Sequence, residues 1–145
     1  MYTIGQVSEQ FGLPISTLRY YDKEGLFPHL QRSGNQRRFS DAELELLHVI
    51  DCLKKSGLEI KDIKQFAAWL KEGPATYPQR KELFETRKAM VENEIAQLQR
   101  TLAMLEFKCW YYDVAIADGN EDRLDAMIPN NLPAGIQELF DKAHE

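Results

Sequence analysis

Ser16, Arg19, Tyr20 and Lys23 follow one another at i, i+3, i+4 and i+7, so a helix through them carries a forked guanidinium, an ammonium and two hydroxyls on one face. Such a set suits a polyanion: a guanidinium matches phosphate oxygens or base edges, and hydroxyls reach backbone oxygens. An ordinary solvated face could hold the same residues. The stretch Gly34-Asn35-Gln36-Arg37-Arg38-Phe39 weighs against that, because it supplies a second basic element close by in sequence. A different chemistry is available at Cys52, which has His48 and Lys55 one helical turn to either side. A neighbouring imidazole or ammonium favours the thiolate, the form that attacks electrophiles. A cysteine at the edge of an apolar stripe serves equally well as a small buried hydrophobe. An enzyme built on Cys52 and His48 would need an oxyanion site and a cleft. The chain has no Gly-rich or convergent polar constellation to make them, so no catalytic residue is assigned.

The elements that must position these groups can be read from periodicity and punctuation. Ile4, Val7 and Phe11 recur at helical spacing, and Gly12 ends the run. Pro14 suits the first position of a second helix, in which Ile15 and Leu18 face inward. Two short helices across a tight turn, followed by an arginine-rich loop, form the layout of a helix-turn-helix with a wing. Ser40-Asp41-Ala42-Glu43 is a capping box for a third helix, running through Leu44, Leu47, Ile50 and Leu53 to Gly57. A fourth spans about Ile60 to Glu72 with Ile63, Phe66, Ala67 and Leu70 inward, and Gly73-Pro74 closes it. Residues 1–73 therefore read as a winged helix-turn-helix domain.

From about Pro78 to Tyr112 the apolar residues settle into heptads. One series is Phe84, Val91, Leu98, Leu105 and Tyr112; the other is Ile95, Leu102 and Cys109, with Lys88 as its polar start. This narrow seam is that of a two-stranded coiled coil. A helix of ~35 residues spans roughly 50 Å, too long to be covered by so small a domain, and so calls for a partner chain. Residues 74–112 are accordingly read as a dimerisation helix, with 113–145 as a short acidic tail. Within that tail Pro133 to Ala143 forms a helix presenting Ile136, Leu139 and Phe140. The fold class is all-α with a small β wing.

Charge is distributed unevenly. The chain of 145 residues carries a net −5, yet residues 1–39 sum to +2 and residues 40–145 to −7. A basic head on an acidic body favours docking the head on phosphate. No apolar run approaches the ~18 residues a membrane span needs, and Met1-Tyr2-Thr3 leads into the first helix without a basic leader. Two cysteines exclude a disulfide scaffold. The expected setting is cytoplasmic and nucleoid-associated, with reduced thiols.

The runs Tyr2-Thr3-Ile4-Gly5-Gln6-Val7, Thr17-Leu18-Arg19-Tyr20-Tyr21-Asp22, Gly25-Leu26 and Arg37-Arg38-Phe39-Ser40-Asp41 resemble the DNA-binding domain of the MerR family of bacterial transcription regulators. Cys52 to Lys64, with Lys108-Cys109-Trp110-Tyr111-Tyr112, looks like its aldehyde- and electrophile-responsive AdhR/NmlR-like branch. The resemblance implies a homodimer through an antiparallel coiled coil of residues 78–112, set on a palindromic promoter spacer. It implies that distortion of the double-stranded DNA realigns the promoter for RNA polymerase. The DNA-contacting residues it implies, with the face described above, are Ser16, Thr17, Arg19, Tyr20, Tyr21, Lys23, Gln36, Arg37 and Arg38, with Tyr21 at a position associated with both backbone contact and helix packing. Gln36 stands where the family often has Tyr, and Phe39 lacks the hydroxyl of the usual closing aromatic. Cys52 matches the branch's proposed thiol sensor, with His48 added to the site by its helical spacing, while Cys109 is read as structural.

Metal-responsive members carry several cysteines near the end of the long helix. Here only Cys109 lies there, and the tail adds only His144, so no metal and no cofactor is expected. The alternatives are an effector-independent repressor or architectural protein, or a sensor of a metal or of a small aromatic ligand near Trp69, Trp110, Tyr111 and Tyr112.

Overall fold

The computed structural model describes all 145 residues, which divide into two compact units, Met1–Arg87 and Lys88–Glu145. In the first unit α1 (Ile4–Phe11) begins at a capping box. The Gln6 N–H donates to Thr3 Oγ1 at 3.2 Å, and the Thr3 N–H donates to Gln6 Oε1 at 2.8 Å. Gly12 ends the helix at φ +65°, a left-handed conformation that costs a residue without Cβ little. Helix α2 (Ile15–Lys23) follows, with Pro14 as its N-cap rather than its first helical residue. The Pro14 carbonyl already accepts from the Thr17 N–H, and its extended ψ sets the sharp entry.

Strands β1 (Gln31–Ser33) and β2 (Gln36–Arg38) form an antiparallel hairpin in register Arg32 to Arg37. Gly34 takes φ +63° and Asn35 stays at negative φ, the pattern of a two-residue turn with glycine at its first central position. The hairpin is tied down at its exit, where Tyr2 and Phe39 exchange two backbone hydrogen bonds. Phe39 is fully buried, edge-on to Phe27 at 5.5 Å. At this depth a phenol would need a buried partner for its hydroxyl, whereas phenylalanine needs none.

Helices α3 (Asp41–Lys55) and α4 (Ile60–Glu72) complete the head. At the start of α3 the Ser40 N–H and hydroxyl both bond the Glu43 carboxylate. One continuous core joins Val7, Leu18, Phe39, Leu47, Ile50, Leu53 and Ile63. Ile15, read as inward, is instead 37% exposed. It sits at the first residue of α2, where the helix has not yet turned its apolar side onto α1, and Tyr21 takes the inward place one turn beyond Leu18.

After a 3₁₀ turn (Pro74–Thr76), helix α5 runs over Tyr77–Asp118, six residues past the end read from the heptads. Its first turns belong to the head: Leu83 packs on the core, and Phe84 meets Phe66 edge-on at 5.5 Å. Compactness therefore divides the chain within α5 rather than at Gly73. Phe84, placed in the seam by its spacing, has a partner within the head.

In the second unit α6 (Asp122–Met127) and α7 (Ala134–Ala143) fold back on α5. Phe107, Tyr111, Leu124 and Leu132 form a second core, and Phe107 meets Phe140 edge-on at 5.2 Å. Ile136, Leu139 and Phe140 pack against this core as their spacing predicts. Helix α6 has no counterpart in the sequence reading. It is less than two turns long, and its one fully buried residue, Leu124, makes no periodic signal. Gln137 holds the connection, accepting from the Leu132 N–H at 3.1 Å and donating to the Pro129 carbonyl at 2.8 Å. No helix is long and apolar enough to cross a membrane.

Candidate nucleic-acid interface and thiol site

Helix α2 and the wing line one groove, to which Ser16, Arg19, Tyr20, Lys23, Arg32 and Arg37 all contribute. Arg19 and Lys23 make no hydrogen bond or ion pair within the chain. Arg37 is different: its Nε donates to Asp22 Oδ2 at 2.7 Å, and Arg32 reaches the same oxygen at 3.1 Å. The carboxylate thus holds the back of the Arg37 fork while the two terminal nitrogens stay without a partner. A neighbouring depression, lined by Thr3, Ile4, Arg19, Asn35, Gln36 and Arg37, extends this surface to the tip of the wing. Arg38 is half-buried and donates weakly to Gln36 Oε1 at 3.4 Å.

Tyr21 and Thr17 stand apart from this group. Tyr21 is only 3% exposed, packed in the head core, and its hydroxyl accepts from Lys54 Nζ at 3.0 Å. Thr17 is half-buried and lines neither depression. Two residues of the groove, Asp22 and Arg32, were absent from the sequence reading of the site. Asp22 is one residue beyond the aromatic pair on α2, and its pairing with positions ten and fifteen residues away leaves no local signal. Behind the face, Lys64 of α4 bonds Glu24 at 2.9 Å, bracing the end of α2. That hydrogen bond, and secondarily the carboxylate's charge, pushes the Lys64 ammonium above its usual value.

Cys52 lies exposed on α3, and its Sγ has no hydrogen-bond partner. The two flanking groups are both engaged elsewhere. The His48 ring packs against Phe11 at 4.6 Å, and Lys55 pairs with Asp51 at 2.8 Å. The thiol is therefore open to a reagent from solvent, and its exposure is that of a surface group rather than a core hydrophobe. One turn back along α3, Val49 borders an open apolar depression of about 420 Å³ lined also by Pro28, Leu46, Phe66 and Leu70. Cys109 is also exposed, on α5. Of the aromatic residues considered for a ligand, Trp69 packs on the head core, Trp110 and Tyr111 pack in the second core, and Tyr112 is exposed. No group of three or more His, Cys, Asp or Glu side chains is placed to hold a metal ion.

A winged helix-turn-helix whose recognition helix and wing share one cationic groove defines a DNA-binding transcription regulator. The chain belongs to the MerR family: residues 2–74 match the MerR HTH family regulatory proteins, and residues 44–106 match the MerR DNA-binding region. An uncharacterised HTH-type transcriptional regulator of Haemophilus influenzae is 43% identical over 121 residues, spanning 82% of this chain and 89% of that protein. The crystal structure of HiNmlR, a MerR family regulator lacking the sensor domain and bound to promoter DNA, is 42% identical with a TM-score of 0.72. The match covers 82% of this chain and 95% of that one. The regulator AdhR of Bacillus subtilis is 32% identical over 91 residues, 61% of this chain and 65% of that protein. The chain thus stands with the AdhR/NmlR-like branch, whose members are transcription regulators rather than enzymes.

Proposed function

We propose that the protein acts as a homodimer that reads a palindromic promoter spacer through Ser16, Arg19, Tyr20, Lys23, Gln36, Arg37 and Arg38 and distorts it to control access by RNA polymerase. Thr17 and Tyr21 contribute by seating α2. The observation that carries this reading is the groove in which Arg19, Lys23 and the free nitrogens of Arg37 stand together without protein partners. Cations left unpaired on one surface gain most from a polyanion, because each phosphate contact releases counterions. A second support is the outward stripe of α5, on which Ile95, Leu98, Leu102 and Leu105 are exposed in the single chain. A second copy covers that hydrocarbon and sets two heads on two half-sites. Contacts along the duplex then offset a distortion costing on the order of several kcal/mol.

Exposure of the Cys52 thiol supports its role as the sensor of aldehydes or other electrophiles. Transcription in vitro from a promoter the protein occupies tests this, comparing wild type with Cys52→Ser, each with and without a small aldehyde. The expected result is induction in the wild type that disappears in the variant. Equal induction in both removes Cys52 from the mechanism. No response in either leaves a regulator that works without this effector.

A further inference from the structure

We infer that Asp22 is a positioning residue for DNA recognition: its carboxylate sets the two wing arginines, Arg32 and Arg37, in the orientation in which they meet the duplex. The inference rests on the assignment of α2 and the wing as the DNA face. A carboxylate on a surface meant for phosphate is at first sight unfavourable, since it repels the ligand and removes one unit from the local positive charge. Residues 1–39 hold only three acids, and Asp22 is the one that lines the groove.

The geometry gives this acid a use that offsets its charge. One oxygen, Oδ2, receives both arginines, at 2.7 Å from Arg37 Nε and 3.1 Å from an Arg32 terminal nitrogen. Binding through Nε restrains the Arg37 guanidinium from its inner edge, while its two terminal nitrogens make no hydrogen bond within the chain. Arg32 and Arg37 face each other across the hairpin register, so one carboxylate on α2 orients a side chain from each strand. The hairpin has only three residues per strand, too few to hold long side chains by packing. Arginine carries large rotamer entropy, and ordering it before binding lowers the cost of the complex.

A contrary assignment exists on the same contacts. If Asp22 merely occupied the arginines in place of phosphate, its removal would free them and tighten binding to every duplex. The two assignments differ in sign, so a single substitution separates them. The probe is a duplex that the wild-type protein selects from a random-sequence pool, compared with a scrambled duplex of the same length at fixed salt. Asp22→Asn keeps the side chain's size and removes its charge. The expected result is about a tenfold loss of affinity for the selected duplex, with affinity for the scrambled one unchanged or increased, so that specificity falls. Asp22→Glu, which keeps the charge and the carboxylate oxygens, should retain most of the wild-type affinity, whereas a generic loss of negative charge would tighten binding to both duplexes.

Thermal unfolding measured alongside separates loss of positioning from loss of fold. Coupling supplies the second arm: in an Arg37→Gln background the penalty of Asp22→Asn should shrink to about threefold or less, because the side chain it mainly orients has gone. Equal or tighter binding of Asp22→Asn to the selected duplex, or an undiminished penalty in the Arg37→Gln background, overturns the inference. Should Arg37→Gln alone bind like wild type, the assignment of the wing to the DNA face fails and the inference falls with it. Weak binding by Arg37→Gln beside unaffected Asp22→Asn defeats the role of Asp22 only.

Discussion

The groove of α2 and the wing and the outward stripe of α5 are both surfaces left incomplete in the single chain, and they are incomplete in opposite ways. The first exposes charge: Arg19 and Lys23 have no partner, and Arg37 is half-committed to Asp22. The second exposes hydrocarbon: Leu98 is 68%, Leu102 54% and Leu105 57% exposed on one side of a helix whose other side buries Phe107 and Tyr111. Unpaired cations favour a polyanion, and the interaction weakens with salt because counterions are released. Exposed leucines favour another apolar face, and salt scarcely screens that association. The chain thus presents two incomplete surfaces, and partners held by them would respond differently to the same solution condition.

The most severe challenge to this contrast is to convert the apolar surface into a polar one. With Leu98→Glu and Leu102→Glu together, four leucines of a dimer lose their burial. Since each is already partly covered in the single chain, the loss is roughly 4–6 kcal/mol, at least about a thousandfold in association. Sedimentation should give a monomer, and binding to a two-half-site duplex should fall with it. A dimer of unchanged affinity would show that the stripe is not the seam.

Salt provides the next test. If a dimer makes roughly six phosphate contacts, raising salt from about 50 to 200 mM should cost its DNA complex on the order of a thousandfold in affinity. Over that range the dimer itself should persist by sedimentation. Parallel loss of both would mean that ion pairs, rather than leucines, join the protomers.

The smallest expected effect concerns the covered side of α5. The Tyr111 hydroxyl donates to Glu121 Oε1 at 2.6 Å, and this bond, with burial second, raises the phenol from 10.0 to about 12. A raised folded value means that the bond's contribution is complete below the unfolded value near 10 and is lost as pH climbs through about 12. An absorbance titration should therefore contain one phenol ionising near 12 that vanishes in Tyr111→Phe. If the phenol lost in the variant is one that ionises near 10, and the step near 12 is absent or persists, Tyr111 does not hold Glu121 in solution.

The same two regions were unequally legible beforehand. On α2 the spacing of Ser16, Arg19, Tyr20 and Lys23 placed them together, because helical periodicity acts over a few residues. Ile15 and Tyr21 exchanged roles relative to their hydropathy, since which side of so short a helix is inward is decided by α1 and α3, far away in sequence. On α5 the heptads gave the exposed stripe. Phe107 and Tyr111 belong to no heptad series, and their burial depends on a tail whose folding back is set by Leu124, Leu132 and Phe140 meeting them in space. Arg37 was legible as a basic wing residue, but its restraint by Asp22 was not.

By itself the sequence determined every helix but α6, the Ser40–Glu43 cap of α3, the wing, the family and the candidate cations, all consequences of residue type over a few neighbouring positions. Tertiary structure alone decided that Cys52 is open, that Ile15 is exposed, that the head extends into the first turns of α5, and that an acid on α2 pairs with two arginines on the wing. These depend on side chains separated along the chain coming within bonding distance, and no periodicity encodes a contact of that kind.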